Sequence, residues 1–359
     1  MTIGILGGGQ LGRMLALAGV PMNMRFKCLD PAPSAPAAVA AEQIVGEFDD
    51  YATLAEFVAG VDVVTYEFEN VPVMAAEWLA QRVPVYPPPA ALQIAQDRIH
   101  EKQFFADLGV PVPAFRTIDH YNELIEALGV IGLPAVLKTR RFGYDGKGQV
   151  VLRTSADAEL AWARLGGRPL IVEQFVPFDR ELSVVAVRNR SGSILCYPVV
   201  ENTHRDGILR QSIAPADKAP QALAENYARL AMEKLGYVGV LAIEFFDVGG
   251  TLLVNEMAPR VHNSGHWTIE GAITSQFANH VRAIADLPLG STQVLGAAGM
   301  LNCIGALPDR SQVLAIPGTH FHDYGKSPRP NRKVGHVTIT ASSSTELRQR
   351  LARLIEIIQ

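Results

Sequence analysis

The chain has 359 residues, with 32 Lys and Arg against 36 Asp and Glu for a net charge of −4, and 48% of it is apolar. At roughly 150 residues per domain this length holds about two to three domains. The charge balance excludes a bulk nucleic-acid binder, which needs a surplus of Lys and Arg on one face. No stretch reaches the ~18 uncharged apolar residues of a membrane span, and the first basic residue, Arg13, comes too late for a signal peptide, so a cytoplasmic protein with no membrane partner is expected. Cys28, Cys196 and Cys303 lie far apart without a C-x-x-C, which argues against a disulfide framework and a thiolate metal site.

Thr2 to Leu6 reads as a strand, followed by a Gly-rich turn and a helix with Leu11, Leu15 and Ala18 on one face, stopped by Gly19 and Pro21. Further strands are expected at Phe26 to Leu29, Val61 to Tyr66 and Val83 to Tyr86, with helices near Tyr51 to Val58 and Met74 to Arg82. This alternation predicts an α/β unit with a parallel sheet. Pro87 to Pro89 mark its border. One amphipathic helix is then expected from Leu92 to Leu108, ending at Gly109. Strands follow at Ala135 to Lys138, Gln149 to Leu152, Leu170 to Val176, Glu181 to Val187, Val240 to Phe246 and Thr251 to Met257, an α+β body. The tail, from about Gly296, has strands at His320 to Tyr324 and Val337 to Thr340. It closes with a helix started by a capping box, Ser343 to Glu346.

Gly7, Gly9 and Gly12 satisfy G-x-G-x-x-G after a strand and at a helix start, and Asp30 follows at the end of the second strand. Alone, the pattern reads as a dinucleotide site and keeps an NAD(P) oxidoreductase in view; its structural reading is a tight strand-to-helix turn. The run Phe142 to Gly148 carries three glycines between two strands, with Lys138 ending the first. Such a backbone can fold over a polyphosphate, although Asp-Gly turns also make plain hairpins.

Glu244 and Glu256 lie on strands joined around Gly249-Gly250. A two-residue loop sets Glu244 opposite Asn255, whereas a three-residue loop, Gly249 to Thr251, sets it opposite Glu256. The second register is the one expected, because paired carboxylates amid apolar neighbours need a cation, and Mg²⁺ carrying phosphates suits hard oxygen ligands. Arg260, His262 and His266 follow directly; Pro259 and Gly265 disfavour a zinc helix, and an arginine beside neutral hydrogen-bonders suits a small oxyanion. Lys326, Arg329, Arg332 and Lys333 form a basic loop, either a phosphate clamp or a solvated linker. No G-x-S-x-G or Cys-His pairing supports a covalent nucleophile.

In order, these residues resemble the ATP-grasp superfamily and, within it, the N5-carboxyaminoimidazole ribonucleotide synthetase family. The carriers are Gly7 to Met14, Tyr66 to Pro72, Arg141 to Gly148, Asp206 to Arg210, Ala258 to Trp267 and Arg332 to His336. The resemblance implies an N-terminal Rossmann-like domain (1–96), an ATP-grasp domain (97–290) with a mobile subdomain at about 112–178, and a small C-terminal domain (291–359). It implies carboxylation of 5-aminoimidazole ribonucleotide with ATP, Mg²⁺ and bicarbonate, by a homodimer that binds no nucleic acid. An ATP-grasp enzyme of the formate-dependent glycinamide ribonucleotide transformylase type is the alternative.

Carried over by motif, Arg98, Lys138 and the loop Gly143, Tyr144, Asp145, Gly146, Lys147 and Gly148 hold the ATP phosphates. Glu173, Gln174, Phe175 and Val176 form the adenine hinge, Glu181 takes the ribose and His204 adds a nucleotide contact. Glu244 and Glu256 hold Mg²⁺. Tyr144, Asp145, Lys147, Arg260, His262, Lys326, Arg332 and Lys333 hold the ribonucleotide and bicarbonate. Lys138, Asp145, Arg260 and His262 are the expected catalytic group, with Asp145 the candidate for taking the amine proton. Asn255 is counted with the nucleotide contacts, although strand alternation turns it away from the side that Glu256 faces.

Overall fold

The computed structural model describes residues 1–143 and 146–358. The expected site residues Tyr144 and Asp145 lie outside the described residues. The N-terminal unit runs β1 (Thr2–Leu6), α1 (Gln10–Gly19), β2 (Arg25–Asp30), β3 (Glu42–Val45), α2 (Tyr51–Val58), β4 (Val63–Tyr66) and α3 (Val73–Ala80). Its sheet is wholly parallel, in the order β3-β2-β1-β4. All five residues of β1 are buried, as a strand covered on both faces requires. The strand expected at Val83 to Tyr86 is reduced to one parallel bridge, Val64 to Val85. Pro84 has no amide hydrogen to extend the ladder.

The single helix expected from Leu92 to Leu108 is two helices, α4 (Pro89–Ala95) and α5 (Arg98–Asp107). Asp97 leaves helical geometry between them and caps α5, accepting from the Ile99 amide at 3.0 Å. Next comes a small antiparallel sheet: β5 (Phe115–Ile118), α6 (Tyr121–Ile131), β6 (Ala135–Thr139), β7 (Gln149–Leu152), α7 (Ala156–Leu165) and β8 (Leu170–Gln174), ordered β5-β8-β6-β7. Leu124, Leu137, Ala161 and Val172 belong to its separate core. β8 stops at Gln174, leaving Phe175 and Val176 in the connection to the next sheet.

That sheet has nine antiparallel strands, and everything after β8 builds it. The elements are β9 (Arg180–Arg188), β10 (Ile194–Cys196), β11 (Val200–Arg205), β12 (Ile208–Ala214), α8 (Gln221–Lys234), β13 (Gly239–Val248) and β14 (Thr251–Ala258). Then follow α9 (Thr268–Gly271), α10 (Gln276–Ile284), β15 (Ala297–Ile304), α11 (Arg310–Leu314), β16 (Thr319–Asp323), β17 (Lys333–Ala341) and α12 (Ser344–Ile358). The order is β14-β13-β9-β11-β12-β15-β17-β16, with β10 on β9, so the C-terminal strands extend the central sheet through the β12–β15 pair. Leu11 and Leu15 of α1 share a core with Trp267 and Phe277, which docks the parallel unit against this sheet. Leu347, Leu351 and Leu354 of α12 are buried as the C-terminal stripe requires.

Candidate active site

Two adjoining cavities of about 380 and 350 Å³ share Arg98 and Glu256 as a common wall. The smaller is lined by Lys138, Gly146, Lys147, Glu173, Gln174, Phe175, Val176, Glu181, His204, Glu244 and Asn255. The larger is lined by Gly143, Arg260, His262, Lys326 and Lys333. The expected residues therefore converge, with two exceptions among those described. Arg332 donates to the Ser327 carbonyl and hydroxyl at 3.1 and 3.0 Å within the basic loop and lines neither cavity. Gly148 supports the loop from beneath, where a Cβ would lie 2.6 Å from the Thr139 hydroxyl.

Glu244 does face Glu256, but by a route the loop argument missed. The hairpin has the two-residue loop, with Val248 opposite Thr251 and Phe245 opposite Val254. A β-bulge at Asn255 then shifts the register by one, so that Glu244 pairs with Glu256. The same bulge corrects the expectation for Asn255, which lines the cavity beside Glu256 where plain alternation turned it away. Burial pushes the Glu244 carboxyl up to about 7; His204 opposes this, and Glu256 and Glu181 add to it. His204 is held at 2.8 Å from Glu181. Among the described residues no cluster of three or more His, Cys, Asp or Glu side chains forms a metal cage. A repelling carboxylate pair beside open space still fits a hard divalent cation that takes its remaining ligands from phosphates and water.

Behind the pair lies a buried charge cluster. Lys138 sits 2.9 Å and Lys102 3.5 Å from the same Glu173 oxygen. Burial acts to raise the Glu173 carboxyl, but Lys102, Lys138 and Arg98 outweigh it and hold it at about 2. Burial, with Arg98 and Lys102 nearby, lowers the Lys138 ammonium below its ordinary value against the pull of Glu173. Lys102 lines neither cavity, whereas Lys138 and Arg98 line the smaller one, two cations that suit polyphosphate. Phe178 and Phe246 stack at 4.8 Å and 9° on the same cavity wall, an apolar surface for a flat base.

In the larger cavity Arg260 is paired with Glu69, and His262 holds Ser264 through Nδ1 at 2.9 Å while its Nε2 stands 3.7 Å from Glu244. Burial, reinforced by Arg260 and Lys333, keeps the His262 ring far below its ordinary pKa and so neutral. His266 belongs elsewhere, in the core beside Phe277 and His336, so the two histidines share no metal position. The glycine-rich turn is occupied from within. Glu67 accepts from the Gly9 amide and from the Gly12 amide at 2.7 Å, and Asp30 accepts from Gly8 at 2.8 Å. A protein carboxylate fills the place where a dinucleotide would set its pyrophosphate, which removes the NAD(P) reading. Burial pushes the three thiols up to about 12, consistent with no nucleophilic cysteine.

Three family descriptions cover the chain in order: a ribonucleotide synthetase preATP-grasp domain at residues 1–96, an ATP-grasp domain at 103–277, and a phosphoribosylaminoimidazole carboxylase C-terminal domain at 298–350. The N5-carboxyaminoimidazole ribonucleotide synthase of Pseudomonas aeruginosa is 53% identical over all 359 residues, covering 100% of both chains. The chain belongs to the N5-carboxyaminoimidazole ribonucleotide synthetase family. The family's crystal structure from Thermus thermophilus is 56% identical, with TM-score 0.96 over 99% of this chain and 98% of that one. An Aspergillus clavatus synthase in complex with ADP and 5-aminoimidazole ribonucleotide is 32% identical, with TM-score 0.92 over 99% and 98%.

Several residues at or behind the two cavities have no individual role legible in the sequence. Glu67 and Glu69 sit in a quoted motif without an assigned partner, and Glu101, Lys102 and Tyr324 were not singled out. Glu101 and Lys102 carry one available signal: they are charges at helical spacing from Arg98, on the side of α5 that bears Phe105, where an apolar stripe is the rule.

Proposed function

We propose that the chain joins bicarbonate to the exocyclic amine of 5-aminoimidazole ribonucleotide at the expense of ATP, the purine-biosynthetic reaction of its family. The products are N5-carboxyaminoimidazole ribonucleotide, ADP and phosphate. The observation that carries this reading is the pair of cavities meeting at Arg98 and Glu256, one with nucleotide chemistry and one with oxyanion chemistry. In the smaller, Lys138, Arg98, Gly146 and Lys147 hold phosphates, residues 173 to 176 and the Phe178–Phe246 stack hold the base, and Glu181 and His204 take the ribose side; the family resemblance extends the phosphate role to the rest of the Gly143 to Gly148 loop. Glu244 and Glu256 are the residues to hold Mg²⁺, which neutralises phosphate charge when bound.

In the larger cavity, Arg260 exchanges Glu69 for bicarbonate, and neutral His262 offers its free ring nitrogen to the same group. Bicarbonate oxygen attacks the γ-phosphorus, the bond to the β-phosphate oxygen breaks, and carboxyphosphate forms. The ribonucleotide amine then attacks the carboxyl carbon and phosphate leaves. Lys326 and Lys333 hold the ribonucleotide; the family resemblance adds Tyr144, Lys147 and Arg332 to that role and gives the amine proton to Asp145. Closure of the subdomain at about 112–178 excludes water from the labile mixed anhydride.

The same reading carries a cytoplasmic homodimer. Among the described residues no helix is long and apolar enough to cross a membrane. Light scattering at twice 38.8 kDa tests the dimer. The transformylase alternative is disfavoured by the match of residues 298–350 to the carboxylase C-terminal domain. For the reaction itself, ADP release is expected to require both bicarbonate and 5-aminoimidazole ribonucleotide. Release indifferent to either one overturns the assignment.

A further inference from the structure

Lys102 has no role in the chemistry above, yet its side chain is wholly buried beside that chemistry. Glu101 and Lys102 lie three and four residues after Arg98 on α5, spacings that place each of them beside it on the side toward β14. Arg98 meets the Glu256 carboxylate at 3.2 Å, and Glu101 accepts from the Met257 amide at 2.6 Å. Lys102 donates to the carbonyls of Val254 and Asn255 at 3.1 and 2.6 Å. The three side chains therefore grip residues 254 to 257, the stretch that contains the bulge.

A bulge leaves backbone groups without ladder partners, and β14 is the edge strand of its sheet. Two adjacent carbonyls turned toward one buried ammonium explain what stabilises the irregular register there. Without that donor, both oxygens lose a charge-assisted bond from a wholly buried ammonium, and the regular register, with Glu244 opposite Asn255, gains relative to the bulged one. The same ammonium lies 3.5 Å from Glu173 on β8, whose carboxylate also holds Lys138. Lys102 thus touches both the large sheet that carries the carboxylate pair and the small sheet that carries the phosphate lysine.

We propose that Lys102 is a positioning residue. It fixes the β14 bulge that turns Glu256 toward Glu244, and through Glu173 it holds the phosphate-binding sheet in register with that pair. This rests on the reading of Glu244 and Glu256 as the divalent-cation ligands.

The test uses the full chain as Lys102→Met, with Mn²⁺ binding in the presence of ADP followed by electron paramagnetic resonance, alongside metal-free ADP affinity and thermal unfolding. Mn²⁺ affinity is expected to fall by about 10- to 100-fold, the range for residues that orient a metal ligand, while metal-free ADP affinity changes far less. A merely structural lysine would lower the unfolding temperature and leave the Mn²⁺ affinity of the folded fraction intact; affinity within about twofold of the parent overturns the proposal. Lys102→Gln, which keeps a shorter donor, is judged by the same criterion if the methionine variant does not fold. Glu256→Gln separates the two levels. If it too leaves Mn²⁺ affinity unchanged, the cation reading fails; if it alone loses affinity, only the positioning role fails.

Discussion

Glu244 and Glu256 are cross-strand neighbours with different electrostatics, which makes them separable by substitution. Glu256→Gln is expected to abolish ADP formation while leaving circular dichroism and the unfolding temperature near those of the parent, because its side chain is partly exposed and its loss creates no cavity. Glu244 behaves differently, since burial raises its carboxyl to about 7 in the ligand-free chain. A carboxyl whose folded pKa lies above its unfolded value binds more protons when folded, so its contribution to stability is lost as pH rises from about 4.5 to 7. Glu244→Gln should therefore raise the unfolding temperature of the ligand-free protein above pH 7 and change it less at pH 5. A thermal series across that window checks the sign. These two glutamates and Lys138 were legible as chemistry because charged residues in apolar strands need a partner. Lys102 was not, because what it serves is a pair of backbone carbonyls, those of Val254 and Asn255, that only the folded register brings to one side.

The elements that position the site are irregular ones. Asp97 breaks a continuous helical pattern into α4 and α5, and the break lets α5 start with Arg98 at the cavity wall. Asp97 also takes Arg140 at 2.8 and 3.0 Å, tying that helix start to the end of β6. Gly146, in the loop that follows β6, has φ +73°, and a Cβ there would lie 2.8 Å from the Asp206 carbonyl oxygen in the β11–β12 turn. Gly146→Ala is expected to cost the seated loop more than about 1 kcal/mol and to slow ADP formation roughly fivefold or more. Steady-state kinetics check it, and unchanged turnover would show that the loop need not rest on that turn. Helix starts and single-strand patterns were readable from local residue types. The bulge was not, since a strand's alternation says nothing about which position its partner will skip.

At the scale of the whole molecule, the nucleotide cavity joins the small sheet, the large sheet and α5, so a ligand there links parts with separate cores. ADP at about 100 times its Kd is expected to stabilise the chain by about 2.7 kcal/mol. With Mg²⁺ present, chelation by EDTA should reverse part of the resulting rise in unfolding temperature, and Glu256→Gln should show little of that reversal; calorimetry with and without EDTA decides. Strands β5, β10, β11, β12 and β15 are not legible in the sequence, and Arg98, residues 173 to 176, Glu181 and His204 come only with the family resemblance; the sequence by itself determined the parallel N-terminal unit, the other strands of the body and the candidate chemistry of Lys138, the glycine-rich loop, the carboxylate pair and Arg260. Those follow from apolar periodicity, turn chemistry and short motifs, all of them local. Only the tertiary structure decided that Glu67 plugs the glycine-rich turn, that the C-terminal strands complete the central sheet, and that a bulge gripped by α5 brings Glu244 and Glu256 face to face. Each of these depends on contacts between residues more than fifty positions apart or on a backbone register, and neither is encoded in the spacing of neighbours along the chain.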